Sequence, residues 1–121
     1  MALHESAEMY LETIHILTKK KSGVRSIDVA EALNYSKPSV SRAMSNLRSG
    51  GYLKTDKDGL LTLTEAGRQV AEKIYARHTL IRDFLIHLGV DQEVAEDDAC
   101  KIEHAISDES FFALKRYLKT L

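Results

Sequence analysis

Cys100, Glu103 and His104 stand at i, i+3 and i+4 in the segment DDACKIEHAISDE, residues 97–109. On an α-helix this spacing turns three side chains to one face. Thiolate, carboxylate and imidazole are all ligands for transition metals, so the triplet is a candidate metal half-site. It also fits a plainer arrangement, a small buried thiol beside a solvent-facing acid and imidazole. Two other segments carry ligand types. Met9 and Glu12 lie three residues apart near the start of the chain, and His78 falls outside the apolar series of a long helical stretch. Alone, each reads more readily as core filler, surface charge or a solvated imidazole than as a ligand. Cys100 with His104 as its base is a conceivable nucleophile pair. No third orienting group or oxyanion-hole motif accompanies it, so an enzyme is not expected.

The elements that must position these residues are helical. Ala7, Tyr10, Leu11, Ile14 and Leu17 recur at helical spacing and predict a helix over 4–21. Ser22-Gly23 breaks it. Ser26 is the expected N-cap of a second helix, IDVAEAL, which Asn34-Tyr35 ends. Ser36 caps a third over 36–49, with Pro38 in its first turn, where a missing N–H costs nothing. YLKT and LLTLT flank Asp56-Lys57-Asp58-Gly59 and predict a β-hairpin. Thr64 then caps a long helix over about 65–87, with Gly89 suited to its C-terminal cap. Asp91 and Ser107 start two more, over about 92–105 and 108–119.

Charge is divided along the chain. Between Lys19 and Lys57 there are nine Lys or Arg against three carboxylates, and between Asp83 and Glu109 nine carboxylates against Lys101 alone. The first half can meet a polyanion, the second a cation; ordinary surface charge is the plainer reading. With 44% hydrophobic and 29% charged residues among 121, the composition is that of a globular chain. No apolar run approaches the roughly 20 residues needed to span a bilayer. The start carries no signal-peptide pattern, and the one cysteine rules out an internal disulfide framework. A cytoplasmic protein without membrane attachment is expected.

Helix, helix, short turn, helix, hairpin is the order of a winged helix-turn-helix. Its third helix would enter the major groove of double-stranded DNA. Ser36, Lys37, Pro38, Ser39, Ser41 and Arg42 form the candidate reading end, with Ser45, Asn46 and Arg48 further along the same helix. Small hydroxyls permit close approach to the DNA backbone, and helix N–H groups favour phosphate. Lys54 and Lys57 in the hairpin are placed for flanking phosphates. A metal-independent winged-helix regulator or a protein-interaction module is the alternative.

EMYLETIHIL, KPSVSRAMSNLRSGGYL and the segment that holds Cys100 together resemble the diphtheria toxin repressor family of metal-dependent transcriptional regulators, over nearly the whole chain. This family includes iron-dependent repressors and manganese transport regulators. The resemblance implies a mainly α fold with a small β-hairpin wing: a winged helix-turn-helix DNA-binding domain over 1–64, then a helical dimerisation and metal-binding domain over 65–121. It implies a homodimeric repressor of metal-uptake genes, bound to a double-stranded operator when metal is present. Iron-type ligand roles fall on Met9, Cys100, Glu103 and His104. Manganese-type roles for a second ion fall on Glu12, His78 and, as a bridge, Glu103. Fe(II) is the expected activator, with Mn(II) as an alternative and Co(II), Ni(II) or Zn(II) expected to bind in vitro. The chain departs from the iron-type pattern at Arg82 and Glu96, where that pattern has ligands of an ancillary ion; Asp83 is only adjacent. The SH3-like third domain of many members is not expected here.

Overall fold

The computed structural model describes residues 4–121; residues 1–3 of the expected first domain lie outside the described residues. Each predicted apolar period forms an element. These are α1 (Glu5–Lys20), α2 (Ser26–Leu33), α3 (Lys37–Ser49), β1 (Leu53–Thr55), β2 (Leu61–Leu63), α4 (Glu65–His87), α5 (Gln92–Ala105) and α6 (Asp108–Leu118). By internal packing the chain divides into a unit ending at Glu72 and a unit Lys73–Leu121, so the division falls inside α4.

The first unit is a winged helix. Leu11 and Ile14 of α1, Val29 and Ala30 of α2, Val40, Met44 and Leu47 of α3, Leu53 of β1 and Leu61 of β2 share one core. The turn between α2 and α3 is tight because Asn34 takes a left-handed conformation, φ 57°, which asparagine tolerates better than most side chains. Ser36 caps α3 as expected, accepting from the Ser39 N–H at 3.3 Å. Ser26 does not cap α2. It is the first helical residue, and Arg25 holds the cap position. The Asp28 carboxylate accepts the Arg25 N–H at 2.8 Å, so the orphan donor is met from within the first turn and no cap hydroxyl is needed.

The wing is antiparallel, with Leu53 opposite Leu63 and Thr55 opposite Leu61. Its turn is built by Asp56, whose Oδ1 accepts from the N–H groups of Asp58 at 2.8 Å and Leu60 at 2.9 Å. The start of α4 packs hard against the residue before β1. A Cβ at Gly67 would lie 2.1 Å from the Tyr52 carbonyl oxygen. The Thr64 hydroxyl joins the same corner, donating to the Gly51 carbonyl at 2.6 Å and accepting from the Gly67 N–H at 3.1 Å.

The second unit contains the rest of α4 with α5 and α6. Ile74, Ile81, Ala95, Ala99 and Phe111 are its buried apolar residues. Asp91 and Ser107 cap α5 and α6 as expected, accepting from Glu93 and Ser110 N–H groups at 3.1 Å each. Gly89 ends α4 with φ 98°. Among the described residues, no helix is long and apolar enough to cross a membrane.

Candidate metal centre and nucleic-acid interface

The metal-ligand candidates of the second unit meet between α4 and α5. His78 lies on the side of α4 shared with Ile74 and Ile81, four residues after one and three before the other, and Glu103 and His104 project from the last turn of α5. Glu103 is fully buried, at 0% exposure. Its Oε2 lies 2.9 Å from His78 Nδ1, and its Oε1 lies 3.2 Å from His104 Nε2. One carboxylate therefore stands between two imidazoles from two helices. Cys100 precedes them by one turn of α5 and is partly buried. This donor set mixes carboxylate oxygen, imidazole nitrogen and a thiol, and it fits a divalent transition metal.

The second ring nitrogen of His78 faces Glu96, Nε2 to Oε2 at 2.8 Å. Two carboxylates thus flank the ring, and its pKa is raised to about 9, first through the bond with Glu103, against the opposing effect of burial. The other oxygen of Glu96 accepts from Arg82 Nη1 at 3.1 Å, and Arg82 Nε donates to Asp83 at 3.0 Å. Arg82 and Glu96 thus form an ion pair with each other beside His78.

Arg77 holds the end of α5 in place. Its Nη1 donates to the carbonyls of Glu103 at 3.1 Å and Ile106 at 2.7 Å, while Nη2 pairs with Asp108. Its guanidinium lies over the Phe111 ring, 5.4 Å from the centroid. A cation on the last carbonyls of a helix is well placed, and here it anchors the turn carrying Glu103 and His104. Sequence reasoning missed this residue. The available signal was a charged side chain at a position where the helical period of Ile74 and Ile81 calls for a buried one.

Met9 and Glu12 stand one turn apart on α1, in the first unit. Glu12 is 6% exposed. The thioether of Met9 accepts a hydrogen bond from the Tyr35 hydroxyl at 3.6 Å, and Tyr35 directly precedes the cap of α3.

On α3, Lys37, Pro38, Ser41 and Arg42 are exposed, and so is Lys57 in the wing turn. Ser36 and Ser39 bond to each other, Oγ to Oγ at 2.8 Å, so both serve the helix start. Arg48 Nη1 donates to the Thr55 hydroxyl at 2.9 Å, which ties the end of α3 to the wing.

Known proteins resemble the chain along its whole length. The profile described as "Iron dependent repressor, N-terminal DNA binding domain" matches residues 2–61. A second, "Iron dependent repressor, metal binding and dimerisation domain", matches residues 64–121. An uncharacterised HTH-type transcriptional regulator of Methanocaldococcus jannaschii is 34% identical over 97% of this chain and 95% of its own. The HTH-type transcriptional regulator MntR of Lysinibacillus sphaericus is 37% identical over 84% of this chain and 73% of its own. Among solved structures, the manganese regulator SloR superposes with a TM-score of 0.83 at 28% identity, over 98% of this chain and 55% of that one. A manganese-dependent transcriptional repressor in complex with manganese does so with a TM-score of 0.86 at 29% identity, over 93% and 52%. The chain thus spans about half the length of these solved regulators.

Proposed function

The chain belongs to the diphtheria toxin repressor family of metal-dependent transcriptional repressors, and on that premise we propose that it represses metal-uptake genes in the cytoplasm when Fe(II) is bound. The observation that carries this reading is the buried Glu103 carboxylate shared between His78 and His104. We assign the metal-ligand roles to Met9, Glu12, His78, Cys100, Glu103 and His104. Met9 and Glu12 belong to α1, and the other four to α4 and α5. Arg77 fixes the α5 turn from below, so Glu103 and His104 need little rearrangement to bind.

Several relatives are described as manganese regulators. The soft thioether of Met9 and thiol of Cys100 argue for iron in this chain, because Mn(II) favours oxygen ligands. Co(II), Ni(II) and Zn(II) are expected to bind in vitro, since raw affinity rises along the divalent series.

We propose the division 1–64 for DNA binding and 65–121 for dimerisation and metal binding. Ser36, Lys37, Pro38, Ser39, Ser41, Arg42 and Lys57 form the proposed contact with a double-stranded operator. Ser36 and Ser39 act by shaping the N-terminus of α3, the exposed cations by neutralising phosphate. The second unit leaves an apolar groove lined by Tyr75, Leu80, Phe84, Leu118 and Leu121, and Phe112 and Tyr117 are exposed nearby on α6. This surface supports a homodimer, which would set two α3 helices on half-sites about one DNA turn apart, or a multiple of it.

The test is operator binding by fluorescence anisotropy under anaerobic conditions, with Fe(II), with Mn(II) and with chelator. Binding that requires metal, and needs less Fe(II) than Mn(II), is expected. Equal binding in chelator would instead support a metal-independent regulator.

A further inference from the structure

His78 has two ring nitrogens and two carboxylate neighbours, and the two sides differ. On the Nδ1 side lies Glu103, fully buried, with His104 on its other oxygen. On the Nε2 side lies Glu96, whose other oxygen is taken by Arg82. An imidazole binds a metal through one nitrogen and must place the N–H of the other. Arg82 decides which side is which. A guanidinium is always charged and only donates, so it keeps Glu96 an anion that accepts. It also sets a positive charge where a second cation on that side would have to approach.

From this asymmetry we infer that Glu96, held by Arg82, is a positioning residue for the metal centre: it retains the Nε2 proton of His78 and presents Nδ1 to the ion beside Glu103. With an ion at Nδ1, the Nε2–H···Glu96 bond would persist. Neither Glu96 nor Arg82 is a ligand in this scheme. The inference rests on the assignment of His78 as a ligand.

Long-range proton–nitrogen NMR of the Zn(II)-loaded, nitrogen-labelled protein reads the ring directly. The expected spectrum has His78 protonated at Nε2 and metal-bound at Nδ1. Coordination through Nε2 would overturn the inference. Affinity for Co(II), followed by its visible absorption, gives the second reading. Glu96→Ala should weaken binding by about 10- to 100-fold, the usual effect of losing a hydrogen-bond partner of a ligating histidine. Glu96→Gln, which keeps an acceptor, should recover most of it. Unchanged affinity in Glu96→Ala refutes the positioning role, provided His78→Ala loses affinity. Unchanged affinity in His78→Ala refutes the ligand assignment itself. If Glu96→Ala does not fold, the spectrum of the parent protein and the Gln variant decide.

Discussion

Oε2 of Glu103 lies 2.9 Å from Nδ1 of His78, so a buried acid of α5 and an imidazole of α4 meet across 25 positions of sequence. This pair brings two proposed ligands from different helices of the second unit into contact. Replacing Glu103 by Gln keeps the shape but removes the charge. We predict that Glu103→Gln lowers Co(II) affinity by more than tenfold, on the order expected for altering a metal site's central carboxylate. Titration at fixed pH checks this, and parental affinity would remove Glu103 from the ligand set.

Metal preference should follow the soft ligands. The double variant Met9→Asp with Cys100→Glu replaces thioether and thiolate by oxygen donors, so activation of operator binding should move toward Mn(II). Anaerobic titrations give the midpoint for each ion. If the Fe(II)-to-Mn(II) ratio stays constant, these two residues do not set selectivity.

DNA contacts should separate by role. Arg42 and Lys57 are exposed, whereas Arg48 bonds to Thr55 of the wing. Arg42→Ala and Lys57→Ala should each reduce the slope of log K against log salt by about 0.9. Arg48→Ala should act instead by loosening the wing and leave the slope nearer that of the parent. Slopes unchanged in both exposed variants would place the DNA elsewhere.

Arg77 is 6% exposed and bonds two carbonyls at the end of α5. Arg77→Met keeps bulk and removes every donor. We predict a loss of about 2 kcal/mol, since buried acceptors are left without partners. Metal affinity should fall as well, because the turn that carries Glu103 and His104 loses its anchor. Urea unfolding measures the first effect; a variant as stable as the parent contradicts it.

Asp28 should make the first unit sensitive to acid. Its carboxyl is held below its ordinary value, first by the Arg25 N–H and then by Lys21. A lowered folded-state pKa gives stability that is present above the unfolded value, near 3.8, and lost as pH falls through the folded one. Asp28→Ala should therefore melt below the parent at neutral pH, by an amount on the order of 1 kcal/mol for a lost cap. The two melting curves should converge as pH falls below the folded-state pKa of Asp28. A gap that persists there would mean that Asp28 acts through packing instead.

Interactions that close within a few residues were readable from the sequence. Ser36, Asp91 and Ser107 cap the helices that follow them because each bond spans two or three residues. The i, i+3, i+4 placement of Cys100, Glu103 and His104 is likewise a property of one helix. Ser26 misled because the carboxylate of Asp28 satisfies the donor at Arg25, so the helix starts without a cap hydroxyl. The tertiary structure alone decided how α4 and α5 are rotated about their axes. That rotation buries Glu103 completely, gives its two oxygens to different imidazoles, turns Nε2 of His78 to Glu96 and sinks Arg77 onto the end of α5. These contacts join residues 18 to 29 positions apart, apart from the neighbouring Glu103 and His104. A helical period states which face of each helix is apolar, but it carries no information about which polar group on a second helix will face it.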